Sequence, residues 1–205
     1  MLEHLPHWLG AAFANVRAGP DKLALATTDL YGAVPILLSS SAFGDGARLP
    51  DRFTADGAGV SPPLVWGPLP QGTASLLLLV EDPDAPAPRP LVHAIVADID
   101  PGIASLPEGA IAADGDGGAA GDSGRNSYGR EGWLPPDPPT GHGVHHYVFQ
   151  LFALAEKPEL DASPDRGDVR DALKGGRVLG LGTLTGTYSR GEEAPLGPAA
   201  APVTA

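Results

Sequence analysis

Residues 75–86 read Ser-Leu-Leu-Leu-Leu-Val-Glu-Asp-Pro-Asp-Ala-Pro, an apolar run that ends in aspartates set among prolines. Leu76 to Val80 is continuously apolar, which predicts a strand that is buried on both faces. Because proline fixes φ and removes a backbone donor, we expect Asp82 and Asp84 in a rigid extended turn at the mouth of this strand. Such carboxylates either accept turn hydrogen bonds or orient a histidine or a ligand.

A second polar run, Gly141-His142-Gly143-Val144-His145-His146-Tyr147, leads into a predicted strand from Tyr147 to Leu154. Side chains alternate along a strand, so His145 and Tyr147 share one face, roughly 7 Å apart, and His146 points to the other. Three histidines this close suggest zinc, but there is no cysteine partner and the adjacent pair cannot share a face. We therefore expect no metal, and instead a small polar site at the mouths of strands that binds a small ligand.

His93 lies in a third apolar run, from Leu91 to Ile99. Period-2 counting places it on the same face as Leu91 and Ile95. A single histidine in such a strand is either a hydrogen-bonded core residue or part of a site, and the run alone leaves both interpretations open.

The remaining pattern predicts a mainly β fold. Further strands are expected at Ile36–Ser40 and Thr183–Tyr188, and the chain's 23 prolines and 28 glycines divide the strands as in an antiparallel sandwich or barrel. A helix from about Pro164 to Leu173 is expected, with Ser163 as its N-cap. Residues 110–124, rich in Gly, Ala and Asp, are expected to form a mobile surface loop.

The sequence predicts three regions. Apolar residues at helical spacing predict an amphipathic helix over residues 1–20, which either packs on its own domain or forms a dimer contact. Residues 21–190 form the domain, and residues 191–205 are expected to be disordered.

Composition limits the partners. With 205 residues the chain can build one domain, and its net charge of −12 disfavours nucleic acid as a partner. There is no cysteine, and no stretch approaches the roughly 20 apolar residues of a membrane span. Without a recognisable signal peptide, we expect a cytoplasmic protein.

Several ordered motifs carry a resemblance to a known family. The chain resembles the phosphatidylethanolamine-binding protein family, in its bacterial Raf-kinase-inhibitor-like branch, over roughly residues 33–190. The motifs are Ser41-Ala42-Phe43-Gly44-Asp45-Gly46, Ser61-Pro62-Pro63-Leu64-Val65-Trp66, Asp82-Pro83-Asp84-Ala85-Pro86, His93, Asn126-Ser127-Tyr128-Gly129, Pro138-Pro139-Thr140-Gly141, His145-His146-Tyr147 and Gly186-Thr187-Tyr188.

The resemblance implies a two-sheet antiparallel β-sandwich with a few peripheral helices. It also implies a cavity for phosphate-like anions, phosphoethanolamine headgroups or carboxylates, without cofactor or catalysis. By motif position the ligand-binding residues would be Asp82, His93, His145 and Tyr147, accompanied by Asp84, Pro86 and Trp133. Protonated imidazoles and a phenol can donate hydrogen bonds to an anion.

Further expectations stand beside this binding role. Some relatives act through protein contacts, so a protease or kinase target is one alternative, and a homodimer is another expectation. A weak hydrolase that uses Asp82 and His145 is the second alternative. The segment Trp133-Leu134-Pro135-Pro136-Asp137 departs from the family's glycine-rich lip, which predicts a rim that is more acidic and poorer in donors.

Overall fold

The computed structural model of the chain describes residues 15–112 and 121–190. Most of the predicted N-terminal helix and the whole predicted tail lie outside these residues, as does the centre of the predicted loop. The domain boundaries drawn from the sequence therefore stay predictions.

Two sheets form the body of the fold. The larger has the strand order β1-β9-β8-β4-β5-β7 and the smaller the order β2-β3-β6. The strands are β1 (Val34–Pro35), β2 (Leu38–Ser39), β3 (Leu64–Trp66), β4 (Ser75–Asp82), β5 (Leu91–Ile99), β6 (Ser105–Leu106), β7 (Asp122–Ser123), β8 (His145–Leu154) and β9 (Val178–Tyr188). Residues 15–112 and 121–190 contain the helices α1 (Ala24–Thr27) and α2 (Arg166–Gly175), and short 3-10 turns cover Pro20–Lys22 and Asp51–Phe53.

Strand β4 lies inside the larger sheet, and every residue in it is buried. Leu76, Leu78 and Val80 pack toward the smaller sheet in one apolar cluster. Leu77 and Leu79 pack in a second cluster on the opposite face, beneath α1 and α2. The continuous apolar run is thus explained by three layers, and the predicted mainly β, two-sheet sandwich with peripheral helices is confirmed.

The predicted strand Ile36–Ser40 is wrong in its extent, because the chain changes sheets within it. Val34–Pro35 pairs parallel with β9, whereas Leu38–Ser39 pairs antiparallel with β3. The Ile36 N–H still donates to the carbonyl of Leu181 at 2.9 Å. One parallel pair therefore joins a sheet that the sequence predicts to be antiparallel throughout.

The predicted cap of α2 is also wrong. Asp165, not Ser163, is the N-cap, and its carboxylate accepts from the N–H groups of Gly167 and Asp168. Asp168 accepts in turn from the Asp165 N–H, which completes a capping box. An ionised carboxylate is a stronger acceptor than a hydroxyl at a helix N-terminus, which accounts for the shift.

Residues 110–124 are not a loop throughout. Within the described part of that segment, Asp122 and Ser123 form β7 and pair with Ala97 and Val96 of β5. Gly124, which follows β7, lies so close to β5 that an added Cβ would approach Ile95 Cβ to 2.8 Å. Composition alone missed this edge strand because small residues are needed for the close approach.

Gly186 in β9 offers a test of this packing, because it lies opposite Tyr147 in the register. A Cβ at this position would come within 2.4 Å of Leu49 Cδ2. We expect Gly186→Ala to lower the free energy of unfolding by about 1–3 kcal/mol through overpacking, measured by urea denaturation. The control is Gly44→Ala, where nothing lies within 4 Å of the added Cβ. Equal stability of the two variants would contradict the prediction.

Candidate functional site

A small cavity lies where the mouths of β4, β5 and β8 meet, on the face that is shared with the smaller sheet. Its volume is about 30 Å³, which gives space for one or two water-sized groups. Its polar lining includes Asp82, His93, His145 and Tyr147, so the structure brings these predicted site residues together. The other lining residues are Ala85, Pro86, Leu91, Tyr128, Leu134, Pro135, Asp137, Pro138 and Pro139.

A buried hydrogen-bonded chain forms one side of the site. Asp82 Oδ2 lies 2.7 Å from His145 Nδ1, and His145 Nε2 lies 2.7 Å from His142 Nδ1. A carboxylate only accepts, so His145 Nδ1 carries a proton and donates it to Asp82. One further proton lies between the two imidazoles, because one nitrogen must donate and the other accept. Both ring nitrogens of His145 therefore already have partners.

The predicted face of His145 and Tyr147 is confirmed, and His146 points away from the cavity. Tyr147 packs edge-on against His93 at 4.9 Å between ring centroids and stacks on His145 at 6.5 Å. Burial, reinforced by the charge of Asp82, raises the pKa of Tyr147 well above its ordinary value. The phenol therefore stays protonated, and within the described part of the chain its hydroxyl has no hydrogen-bond partner.

His93 reaches the cavity through a β-bulge. Val80 pairs with Ala94 and Glu81 pairs with Val92, so the register between β4 and β5 passes over His93. The extra residue turns His93 toward Tyr147 and Trp133, whereas Ile95 packs on the opposite face of the sheet. The prediction that His93 shares a face with Ile95 is therefore wrong, because a bulge breaks the alternation.

The tautomer of His93 follows from its contacts. Its Nδ1 lies 2.7 Å from the carbonyl oxygen of Leu134, which can only accept, so Nδ1 carries the proton. Burial lowers the pKa of His93, and the opposing charge of Asp82 does not reverse the shift. The ring is therefore neutral and its Nε2 is a lone-pair acceptor. That nitrogen is buried and has no hydrogen-bond partner.

Asp84, which the sequence predicts to be a ligand-binding residue, does not line the cavity. Its Oδ2 accepts from the backbone N–H and from Nδ1 of His146, at 2.8 and 2.7 Å, and Oδ1 pairs with Arg17. Its N–H donates to Asp82 Oδ1 at 2.8 Å, so it supports the site from behind. The sequence separates Arg17 from Asp84 too widely to reveal this pairing.

Trp133 is likewise not part of the lining, although it was predicted as a ligand-binding residue. The indole is 1% exposed and packs behind His93, with 6.4 Å between the ring centroids. Its Nε1 donates to the carbonyl oxygen of Phe53 at 3.4 Å. Its size fills the space between the sheets, so it holds His93 in place and does not reach the cavity.

The negative charge that the sequence predicts at the rim is compensated by Arg190, which is distant in the sequence. The guanidinium of Arg190 pairs with Asp137 and also donates to Asp56, at 2.6 Å to Oδ1. These carboxylates, led by the hydrogen bond to Asp56, raise the pKa of Arg190, so its charge is permanent. The rim still offers few donors, because the lining prolines Pro135, Pro138 and Pro139 carry no N–H.

His142 is the functional residue that the sequence analysis did not place in the site, since it entered only as a zinc candidate. Gly141 and Gly143 have φ values of 79° and 100°, which L side chains rarely adopt. These flanking glycines let the loop bring His142 against His145. The sequence signal that could have indicated His142 as a site residue is its position between two glycines, just before a strand.

The described residues contain no group of three or more His, Cys, Asp or Glu side chains placed to hold a metal ion. Among the same residues, no helix has both the length and the apolar character that crossing a membrane requires.

Comparison with known proteins identifies the family. The family model for phosphatidylethanolamine-binding proteins matches residues 39–189. The chain is 46% identical to a Mycobacterium tuberculosis protein named "Putative lipoprotein LppC", over 80% of this chain and 77% of that protein. It is 38% identical to a UPF0098 protein of Methanothermobacter thermautotrophicus, over 75% of this chain and 99% of that protein.

A solved structure agrees with these relatives. YbcL of E. coli, described as a member of the mammalian PEBP family, superimposes with a TM-score of 0.70 at 28% identity, covering 76% of this chain and 99% of that one. The chain belongs to the phosphatidylethanolamine-binding protein family.

The contacts of Asp84 predict a pH-dependent contribution to stability. Hydrogen bonding to Asp84 raises the pKa of His146 above 6.5. The stabilisation that comes from charged His146 is thus complete below this ordinary value and is lost as pH rises through the folded-state pKa. Burial opposes ionisation of Asp84, but the hydrogen bonds of His146 and Arg17 hold its pKa at about 2, so the carboxylate stays ionised in this range.

We therefore expect Asp84→Asn to lower the free energy of unfolding by about 1–2 kcal/mol at about pH 5, and by less at about pH 8. Urea denaturation at both pH values measures the difference. Asp98→Asn is the control, because Asp98 pairs with Lys157, which keeps its charge over this range. An equal loss at both pH values for Asp84→Asn would exclude a role for His146.

Proposed function

We propose that this protein binds a small ligand through a carboxylate or phosphoryl group held in the cavity of Asp82, His93, His145 and Tyr147. The observation that carries the proposal is Nε2 of His93, a buried polar atom at the cavity that has no hydrogen-bond partner and lies beside the phenol of Tyr147. Buried polar atoms are nearly always hydrogen-bonded, and each unpaired one costs about 1–3 kcal/mol. A ligand that supplies the missing partner would recover this free energy.

The size and the lining of the cavity limit the ligand. A volume of about 30 Å³ accommodates the polar tip of a ligand but not a whole headgroup. The entrance is formed by Pro86, Leu91 and prolines of the rim, with half-exposed Tyr128 beside them. This favours a ligand whose polar end enters the cavity and whose remainder lies on an apolar rim. The name of the family, the phosphatidylethanolamine-binding proteins, agrees with this class of ligand.

Binding without catalysis is the second part of the proposal. Hydrolysis by Asp82 and His145 would need His145 Nε2 to activate a nucleophile, and that atom is bonded to His142. No serine, threonine or cysteine is among the lining residues of the described chain. A family of binding proteins and a site without a nucleophile both support a binding role.

The other expectations stay predictions. A protease or kinase target and a homodimer stay predictions, because no contact of the described residues favours either one. Membership of the Raf-kinase-inhibitor-like branch also stays a prediction. A cytoplasmic location also stays a prediction, and a relative named as a lipoprotein makes the compartment worth testing by cell fractionation.

Tyr147→Phe tests the proposed site. Its hydroxyl has no partner in the described chain, so the variant should fold normally and lose one hydrogen bond to the bound anion. We expect acetate to bind about 1.5–3 kcal/mol more weakly, roughly tenfold to a hundredfold, as for a hydrogen bond to a charged group. Isothermal titration calorimetry measures the affinity, with inorganic phosphate as a second probe.

The matched control is Tyr31→Phe, because Tyr31 is 96% exposed. Wild-type affinity is expected for this variant. Identical acetate and phosphate affinities for Tyr147→Phe and wild type would place the ligand elsewhere, and no binding of either probe to wild type at millimolar concentration would remove the proposal.

A further inference from the structure

We infer that an anion enters this cavity together with a proton, and that His93 takes up this proton at Nε2. The inference rests on the proposed function and adds the regulation of the same site by pH. His93 would then determine the charge of the ligand: the neutral ring accepts from a donor-bearing ligand, and the protonated ring donates to an anion.

Few side-chain hydrogen-bond donors face the interior of the cavity. Tyr147 offers one hydroxyl. The proton on His145 Nδ1 is directed to Asp82, and its Nε2 is bonded to His142. Inside the rim where Tyr128 lies, an anion would therefore meet one side-chain donor together with the Asp82 carboxylate and the lone pair of His93. One neutral donor does not compensate an anion that loses its hydration beside a carboxylate.

His93 can gain a proton without losing a contact. Its Nδ1 already donates to the Leu134 carbonyl at 2.7 Å, and this bond persists in the imidazolium. The new proton would occupy Nε2, which is the atom without a partner. Protonation thus converts an unsatisfied acceptor into a donor. The same change on His145 would require rearrangement of the proton that it shares with His142, because both of its ring nitrogens already have partners.

Charged and titratable groups reach His93 from several elements. From β4, Asp82 favours the charged ring, and from β8, His145 opposes it while Tyr147 stays neutral. The segment 133–137 contributes the Leu134 carbonyl, which favours the charged ring, and Asp137 at the rim is paired with Arg190. Tyr128 stays protonated, since burial and Asp137 raise its pKa. Burial outweighs these influences in the free protein, and a bound anion adds the missing favourable charge.

Linkage fixes the sign of the pH effect. A complex that holds one more proton than the free protein becomes stronger as pH falls, by up to about tenfold per pH unit. At a pH low enough to protonate His93 in the free protein, binding takes up no further proton, and the affinity no longer changes with pH. A ligand that presents an N–H or O–H donor to neutral His93 would show no such dependence.

Calorimetry of acetate binding tests the inference, because acetate stays a monoanion from about pH 6 to about pH 8. Titrations in buffers of different ionisation enthalpy give the number of protons that are taken up. We expect wild type to take up close to one proton per acetate near the upper end of this range. His93→Gln keeps a neutral donor near the position of Nε2, so we expect it to bind acetate without proton uptake and with an affinity that changes less than twofold with pH.

His146→Gln is the control, because it removes a titrating histidine on the opposite face of β8, and it should retain the proton uptake of wild type. Acetate binding by wild type without proton uptake would overturn the inference and leave the proposed function standing. Uptake that persists in His93→Gln would assign the proton to His142 and His145 and overturn it as well. Absence of acetate and phosphate binding would overturn both proposals.

A second measurement does not depend on the folding of the variant. Nitrogen-15 NMR of wild-type His93 distinguishes a lone-pair Nε2 from a protonated one. We expect the lone-pair signal in the free protein and the protonated signal at saturating acetate, and an unchanged Nε2 signal would overturn the inference.

Discussion

The hydrogen bond between Asp82 and His145 is the constraint on which the site depends. It joins the mouths of two neighbouring strands, β4 and β8, and both side chains are at most 3% exposed. A buried carboxylate without this partner would be strongly destabilising, so the bond fixes both rotamers. Asp82 Oδ1 then accepts the Asp84 N–H, and Asp84 holds His146 and Arg17. The turn and its surface contacts are therefore arranged around one buried acceptor.

Strand β4 ends in two adjacent carboxylates that face opposite layers and serve different purposes. Glu81 is fully buried beneath the helices, where it accepts from Arg166, Gln150 and the N–H of Ala24 at 2.5, 2.8 and 2.8 Å. These three hydrogen bonds are made to other residues of the domain, and they attach α1 and α2 to the sheet. Asp82 faces the cavity, and the atoms around it are not all satisfied. Alternation along one strand thus separates a structural network from the proposed ligand site.

Local patterns in the sequence were sufficient for much of this arrangement. The apolar run identified the central strand, and period-2 alternation separated His145 and Tyr147 from His146. Local patterns could not predict the bulge at His93, because the bulge depends on the register in which β4 and β5 pair. Contacts over long separations were equally invisible, as with Arg190 and Asp137. The contacts of Asp84 and the position of Trp133 could not be predicted for the same reason, because each depends on a partner that is distant in the sequence.

Compensation of charge around the cavity makes the proposed anion site compatible with the acidic composition of the protein. Each carboxylate near the cavity has a nearby donor: Asp82 has His145, Asp84 has Arg17 and Asp137 has Arg190. The net charge of −12 acts mainly through solvent, where salt screens it beyond about 10 Å. Inside the cavity, the donors and acceptors within hydrogen-bond distance decide which ligand is stabilised. The tautomer that the Leu134 carbonyl imposes on His93 is therefore a better guide to the ligand than the charge of the chain.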